Sequence, residues 1–121
     1  MRILILGHQR FSWLSPAWAR CLSELDVEVV VWDWSYLWPG DVLGRIQERF
    51  IIGPNVTKIN NALLDEVDRC RPDVILLHGS TPIMPFTIKK LAKKIWLTSY
   101  HPDDPFGKFG NKAYFRREND L

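Results

Sequence analysis

The chain has 121 residues, of which 46% are hydrophobic and 25% charged, and its formal net charge is +2. This length accommodates one domain with its own core but not two of ordinary size. The composition excludes a disordered, collagen-like or coiled-coil chain. The small and dispersed charge argues against nucleic acid as a partner. No apolar run reaches membrane-spanning length and no signal-peptide pattern is present, so we expect a cytoplasmic protein with no integral membrane segment.

Four short β-rich runs alternate with helical patterns along the chain. They cover residues 3–6, 27–32, 74–77 and 95–100. Apolar runs of this kind are typical of parallel strands that are covered by helices on both faces.

The first helix is expected between the first two strands. Ser15 is a suitable N-cap, and Pro16 suits the first helical position, where a missing N–H costs nothing. Trp18, Leu22 and Leu25 recur at helical spacing and form one apolar face.

Three further helices are expected over residues 41–50, 55–71 and 85–94, with Pro72 ending the second. In each helix the apolar residues recur at helical spacing. The residues expected to share a side are Val42, Ile46 and Phe50 in the first, Val56, Ile59, Leu63, Val67 and Cys70 in the second, and Ile88, Leu91 and Ala92 in the third.

This order of elements predicts an α/β fold, a three-layer Rossmann-like parallel sheet of at least four strands with flanking helices. We expect residues 1–106 to form this domain and residues 107–121 to form a polar, aromatic tail. Open sheets of this type commonly have five or six strands, so a chain that ends shortly after its fourth strand is expected to be truncated.

Two smaller groups of residues allow structural interpretations. Trp32, Trp34 and Trp38 indicate core or interface filling, with an aromatic acceptor-binding surface as the alternative. Cys21 and Cys70 both fall in apolar-periodic stretches and are expected to be buried thiols.

All three histidines of the chain, His8, His78 and His101, immediately follow predicted strands. In a parallel sheet these positions lie at the carboxyl edge, where ligands bind. The pattern therefore favours a binding or catalytic role for at least one histidine.

Three common functions of small α/β domains lack their motifs. Gly7 permits a tight turn, but no further glycine follows to complete a dinucleotide-binding fingerprint. A Walker loop is absent, and the first strand does not end in the acidic residues of a phospho-acceptor domain.

The loop after the fourth predicted strand carries His101, Asp103 and Asp104 between prolines. An imidazole or carboxylate within hydrogen-bond reach of a sugar hydroxyl is able to act as its general base. A rigid turn and a metal site are the alternative interpretations of this loop, although the residues lack a defined metal-ligand spacing.

Several of these stretches together resemble the GT-B glycosyltransferases. Residues 2–7 (RILILG) and 27–33 (VEVVVWD) look like the opening of that family. Residues 60–67, residues 71–78 (RPDVILLH) and the Asp-Asp-Pro-Phe loop within residues 100–106 are similar to its CgeB-like (spore maturation protein-like) branch. The resemblance covers residues 1–106.

The resemblance implies an N-terminal, acceptor-binding half of an enzyme whose missing C-terminal half binds a nucleotide-sugar donor. The implied reaction is metal-independent transfer of a sugar to a hydroxyl acceptor such as a glycan, without a cofactor, and the chain alone is expected to be inactive. The implied candidates for catalysis are His101, Asp103 and Asp104, and those for substrate binding are Gly7, His8, Gly79, Ser80 and Thr81.

A second hypothesis is a non-catalytic, flavodoxin-like binding or interaction module. The tryptophan group and the aromatic residues Phe109, Tyr114 and Phe115 would then form a partner surface, and a homodimer is one expected form.

Overall fold

The fold is a three-layer α/β structure around a four-stranded, wholly parallel sheet, as predicted. The computed structural model describes residues 1–7, 14–78 and 82–100. The strands are β1 (Arg2–Gly7), β2 (Glu28–Asp33), β3 (Val74–His78) and β4 (Trp96–Tyr100), in the order β2-β1-β3-β4. The α-helices are α1 (Leu14–Ser23), α2 (Val42–Phe50), α3 (Pro54–Cys70) and α4 (Pro85–Ala92), and a 3-10 helix covers Trp34–Leu37.

Helices cover both faces of the sheet because consecutive residues of β1 and β3, which point to opposite faces, are apolar. On one face, Trp18 and Leu22 of α1 pack on Ile3, Ile5 and Leu76. On the other face, α3 and α4 pack on β1 and β3, and this cluster is the larger core. It contains Leu4, Leu6, Leu63, Val67, Cys70, Ile75, Leu77, Ile83, Ile88 and Leu91.

Helix α3 follows its prediction closely. All five residues of its expected apolar side are buried, and the helix ends at Cys70, with Arg71 in a left-handed conformation before Pro72. A helix between a sheet and solvent buries one stripe only, so a regular stripe in the sequence marks its inner side.

Four sequence expectations about α1 and α4 need correction. Helix α1 begins at Leu14, so Ser15 lies inside the first turn and does not cap it. Leu25 lies beyond the end of α1 and is 72% exposed, and Cys21, also expected to be buried, is exposed. Ala92 ends α4 and is exposed as well.

Helix α2 has the expected bounds but presents its apolar residues outward. Asp41 caps it by accepting the Gly44 N–H at 2.6 Å. Its buried residues are Gly44 and Gln47, and Gln47 Oε1 accepts the Asn55 N–H at 3.0 Å. The expected apolar side, Val42, Ile46 and Phe50, is between 48% and 64% exposed.

The tryptophan group serves mainly as core. Trp34 is 1% exposed and meets Trp38 edge-on, with ring centroids 5.8 Å apart. Trp38 packs against Ile51 and Val56, and Trp32 packs against the larger core.

Strand β4 departs from the expectation that every strand is covered on both faces. Trp96 is 82% exposed, Thr98 and Ser99 are exposed, and only Leu97 is half-buried. Within the described residues, α4 is the only helix that contacts β4 extensively, so much of this strand lies open.

Candidate functional site

The carboxyl ends of β1 and β3 mark the place where the strand order reverses. From β1 the chain continues to β2 on one side, and from β3 it continues to β4 on the other. Ligands of open parallel sheets bind outside the strand ends at such a switch point. Gly7 and His78 are the last residues of the two strands, so they define the candidate site.

Four residues form a row across this edge of the sheet. Asp33 pairs with Gly7, His78 pairs with Tyr100, and Gly7 and His78 each follow the Leu6–Leu77 pair. Successive side chains of a strand point to opposite faces of the sheet, and these four residues share the face of Ile3, Ile5 and Leu76, which α1 covers. Gly7 has no side chain, so the row contains a gap between Asp33 and His78.

Ser15 of α1 faces the gap at Gly7. A Cβ atom at Gly7 would lie 3.0 Å from Ser15 Oγ and 3.6 Å from Val31 Cγ1, which is too close for easy accommodation. Ser15 is 4% exposed, and its hydroxyl has no hydrogen-bond partner in residues 1–7, 14–78 and 82–100. Ser15 therefore takes up the space beside Gly7 and brings an unpaired hydroxyl to this edge of the sheet.

Beside the gap, three rings form what we call the aromatic wall, consisting of Trp18, Tyr100 and His78. The Trp18 and Tyr100 centroids are 5.5 Å apart, and the His78 and Tyr100 rings stack at 5.8 Å with an interplanar angle of 23°. His78 is 1% exposed, whereas Tyr100 is 38% exposed. The wall therefore joins a buried imidazole to a ring that solvent reaches.

Asp33 has a structural role at the end of β2. Its Oδ1 accepts the Ser35 N–H at 2.8 Å and the Ser35 hydroxyl at 2.6 Å, which caps the 3-10 helix. With this atom engaged in the cap, Asp33 fixes the turn that leaves β2.

Asn60 of α3 fixes the chain just before α4. Its Nδ2 donates to the Pro82 carbonyl at 3.0 Å and to the Val56 carbonyl at 2.7 Å, and its Oδ1 accepts the Met84 N–H at 2.8 Å. Asn60 is 3% exposed, so these bonds are shielded from water. The side chain therefore positions residues 82–84, directly before α4.

Of the residues predicted for binding, Gly7 is described and lies in the candidate site. His8, Gly79, Ser80 and Thr81 lie outside the described residues, and so do His101, Asp103 and Asp104. In the sequence they follow β1, β3 and β4, whose carboxyl ends share one edge of the sheet.

Sequence reasoning did not assign Ser15, Trp18 or Tyr100 to the site. Trp18 was expected to be a core residue and Ser15 a helix cap, because neither residue type signals binding by itself. Only Tyr100 could have been assigned from the sequence, because it ends a predicted strand at the same edge of the sheet as His78.

The side chains of α3 with shifted pKa values lie away from the carboxyl edge of the sheet. Burial raises the pKa of the Cys70 thiol, and a hydrogen bond from Arg69 lowers the pKa of Glu66. All three residues belong to the last turns of α3, at the amino end of the sheet. In the described part of the chain, no three His, Cys, Asp or Glu side chains are grouped to hold a metal ion.

No protein-family model matches the sequence, and no curated protein matches it significantly. None of the helices in the described ranges is long and apolar enough to cross a membrane.

Proposed function

We propose that this chain is the acceptor-binding domain of a glycosyltransferase, with its binding site at Gly7, Ser15 and the aromatic wall. The observation that carries the proposal is the position of the aromatic wall beside the Gly7 gap at the switch point. The sequence resemblance to GT-B enzymes supports it independently, since that family uses a domain of this fold.

The chemistry of the site suits a sugar or another polyol. Sites for small ligands combine apolar and aromatic surface with a few polar groups that fix orientation. The partly exposed Tyr100 ring offers a face for the C–H side of a sugar ring, and the Ser15 hydroxyl offers a hydrogen bond to a sugar hydroxyl at the edge of the sheet.

In the proposed reaction the acceptor hydroxyl attacks the anomeric carbon of a nucleotide sugar. The new C–O bond forms as the bond to the nucleotide diphosphate breaks, and a base takes the hydroxyl proton. His101, Asp103 and Asp104 remain the candidates for this base, with His8, Gly79, Ser80 and Thr81 as further acceptor contacts. The donor would be bound by a second half of the enzyme, and the proposal includes no metal or cofactor.

Isothermal titration of the chain with free monosaccharides and disaccharides tests the proposal, with a nucleoside diphosphate as the contrasting ligand. We expect at least one saccharide to bind and the nucleotide to bind more weakly. Trp18→Leu should weaken saccharide binding about tenfold, equivalent to about 1.4 kcal/mol. Trp96→Leu is the matched control, because Trp96 lies on the same face at the other end of β4.

Ser15→Ala should also weaken saccharide binding, whereas Ser23→Ala, at the far end of α1, should not. Tight nucleotide binding without saccharide binding would overturn the acceptor assignment. So would equal losses in Trp18→Leu and its control.

A non-catalytic interaction module is the second candidate, and the exposed side of α2 favours it. Val42, Ile46 and Phe50 together form an apolar stripe on the surface. The tryptophan group proposed for this role from the sequence is not suited to it, because Trp34 is buried. Co-purification of a stoichiometric partner that is lost in Ile46→Glu, without saccharide binding, would favour this candidate.

A further inference from the structure

A cleft lies at the amino end of the sheet, between the last turns of α3 and α4. Its volume is about 470 Å³, which is within the range of sites for small molecules. All nine residues that line it belong to the described ranges, and none of them belongs to the candidate site at Gly7. They come from α3 and the turn that follows it, and from α4 and the turn that leads into β4.

The inner part of the cleft, which we call its floor, is apolar. Val67 and Leu91 are buried members of the larger core, and Leu64 and Ile95 pack against that core while remaining partly accessible. These apolar groups are recessed between the two helices and do not protrude from the surface. The floor therefore suits a ligand that places its own apolar part in the cleft.

The outer part of the cleft, which we call its rim, is cationic. Arg71, Lys90 and Lys94 line it with Asp68 as the one acidic residue among the nine, so the lining has two net positive charges. All four side chains are exposed. A cation in the last turn of a helix also suits the helix dipole, but Lys89 serves that purpose in α4 without lining the cleft. Like charges repel one another around the rim, and a bound anion would relieve this repulsion.

The backbone at Arg71 adds to the case for a site. Arg71 follows α3 with φ 47° and ψ 63°, the left-handed conformation that favours glycine at this position. A residue with a Cβ atom is strained there, and such strain is found preferentially at functional sites. Here the strained position carries a guanidinium group at the rim of the cleft.

We propose that this cleft binds a small amphipathic anion, with its apolar chain on the floor and its phosphate or carboxylate among the three cations of the rim. A guanidinium pairs with either group through two parallel hydrogen bonds, and each lysine adds a positive charge. The recessed floor favours a free molecule over a lipid bilayer, because a surface that inserts into a bilayer presents its apolar side chains outward.

Calorimetric titration with decyl phosphate, below the concentration at which it forms micelles, tests the class of ligand. Decyl phosphate should bind about tenfold more tightly than decanol, which lacks the charge, or inorganic phosphate, which lacks the chain. Octyl and hexyl phosphate should bind progressively more weakly, because each buries less apolar surface. Equal binding of decanol would overturn the role of the cations. Equal binding of inorganic phosphate would indicate an adventitious ion only.

Lys90→Gln tests the rim and should weaken decyl phosphate binding about fivefold, because it removes one of the three cations. Lys89→Gln is the matched control, since Lys89 is the neighbouring exposed lysine of α4 and does not line the cleft. Both variants change the net charge of the chain equally, so general electrostatic attraction affects them alike. Equal losses of affinity in the two variants would overturn the site.

Asp68→Asn tests the same site through a gain of affinity. It removes the negative charge from the lining and should tighten decyl phosphate binding about twofold. Asp65→Asn is its control, because Asp65 is an exposed residue of the same helix outside the cleft. A gain cannot result from lost folding, so it separates binding from stability. Equal affinities of the two variants would contradict the proposal.

Amide chemical shifts of the unmodified chain locate the ligand without a variant. Decyl phosphate should shift the amides of Leu64, Arg71 and Leu91, and it should leave those of Gly7 and Trp18 unchanged. The reverse pattern would overturn the proposal. So would binding to vesicles of phosphatidylcholine and phosphatidylserine without binding to free decyl phosphate. A chain that binds decyl phosphate in the cleft but no saccharide would contradict the proposed function alone.

Discussion

At the amino end of the sheet Arg2 joins β1 to three neighbouring segments, whereas at the carboxyl end β1 stops at Gly7, which has no side chain. The Arg2 N–H donates to Asp73 Oδ2 at 2.8 Å, and the Asp73 N–H donates to the Arg2 carbonyl at 2.9 Å. The Arg2 guanidinium lies 2.9 Å from Glu28 and also donates to the Cys70 carbonyl. The bond and charge of Glu28 raise the pKa of Arg2.

The carboxyl end has few such direct ties between strands. Asp33 caps a turn, Asn60 holds residues 82–84 from α3, and Ser15 faces the Gly7 gap without a partner in the described ranges. Polar groups that bind each other fix the amino end, whereas the buried Ser15 hydroxyl at the carboxyl end has no hydrogen-bond partner within the described ranges.

The largest expected effect on stability comes from replacing Asn60, whose side chain holds residues 82–84 near the carboxyl end of the sheet. Asn60→Ala leaves the Met84 N–H and the Pro82 carbonyl without their partner, and each such loss in a shielded position costs about 1–3 kcal/mol. We expect the free energy of unfolding in urea to fall by about 3 kcal/mol.

Asn61→Ala is the control for this substitution, because Asn61 is the exposed neighbour of Asn60. It should change the free energy of unfolding by less than about 0.5 kcal/mol. Equal effects of the two substitutions would show that the Asn60 bonds do not stabilise the fold.

A smaller effect on stability should follow from adding a methyl group at Gly7. Gly7→Ala places a Cβ 3.0 Å from Ser15 Oγ and should lower the free energy of unfolding by about 1–2 kcal/mol. Ser15→Ala removes that oxygen and a buried hydroxyl, so it should cost little. The double substitution should be more stable than the sum of the two predicts, by about 1 kcal/mol. Additive effects in urea unfolding would argue against the close approach.

The smallest expected effect on stability comes from the ion pair in the last turns of α3, near the amino end of the sheet. The hydrogen bond from Arg69 lowers the pKa of Glu66 below its ordinary 4.5, so the folded state favours the ionised carboxylate. Its contribution is present above pH 4.5 and is lost as the pH falls through the lowered pKa. Glu66→Gln should therefore cost about 0.5 kcal/mol near neutral pH and nothing in acid.

Thermal unfolding across this pH range measures the difference, with Glu24→Gln as control. Glu24 lies 3.8 Å from Arg20 in a more exposed pair, so Glu24→Gln should change the stability less than Glu66→Gln does near neutral pH. A Glu66→Gln difference that persists in acid would rule out the ion pair as its cause.

The sequence predicted the fold better than the direction in which its elements face. The apolar spacing of Val56, Ile59 and Leu63 gave both the helix and its inner side, because α3 packs on a sheet that is itself apolar. In α2 the same kind of spacing placed Val42, Ile46 and Phe50 on one side of the helix, but it did not show that this side faces solvent. There the small Gly44 and the hydrogen-bonded Gln47 face inward, and only the packed structure reveals this.

The candidate site was predictable only in part for a related reason. Gly7 and His78 stand at the ends of apolar runs, so their place at the sheet edge follows from the fold class. Ser15 and Trp18 reach that edge because of how α1 docks on β1. Docking depends on contacts between distant residues, which a local pattern does not contain.

The central position of β1 has a consequence for folding during synthesis. Of the four described strands β1 is synthesised first, and β2 follows it within about thirty residues. Its other side pairs with β3, whose residues lie about seventy positions later. Until then Ile3–Leu6 pairs on one side only, and its second layer, α3, emerges just before β3. A nascent chain therefore leaves one side of β1 unpaired during the synthesis of the residues between β2 and β3, and chaperones act on apolar segments exposed in this way.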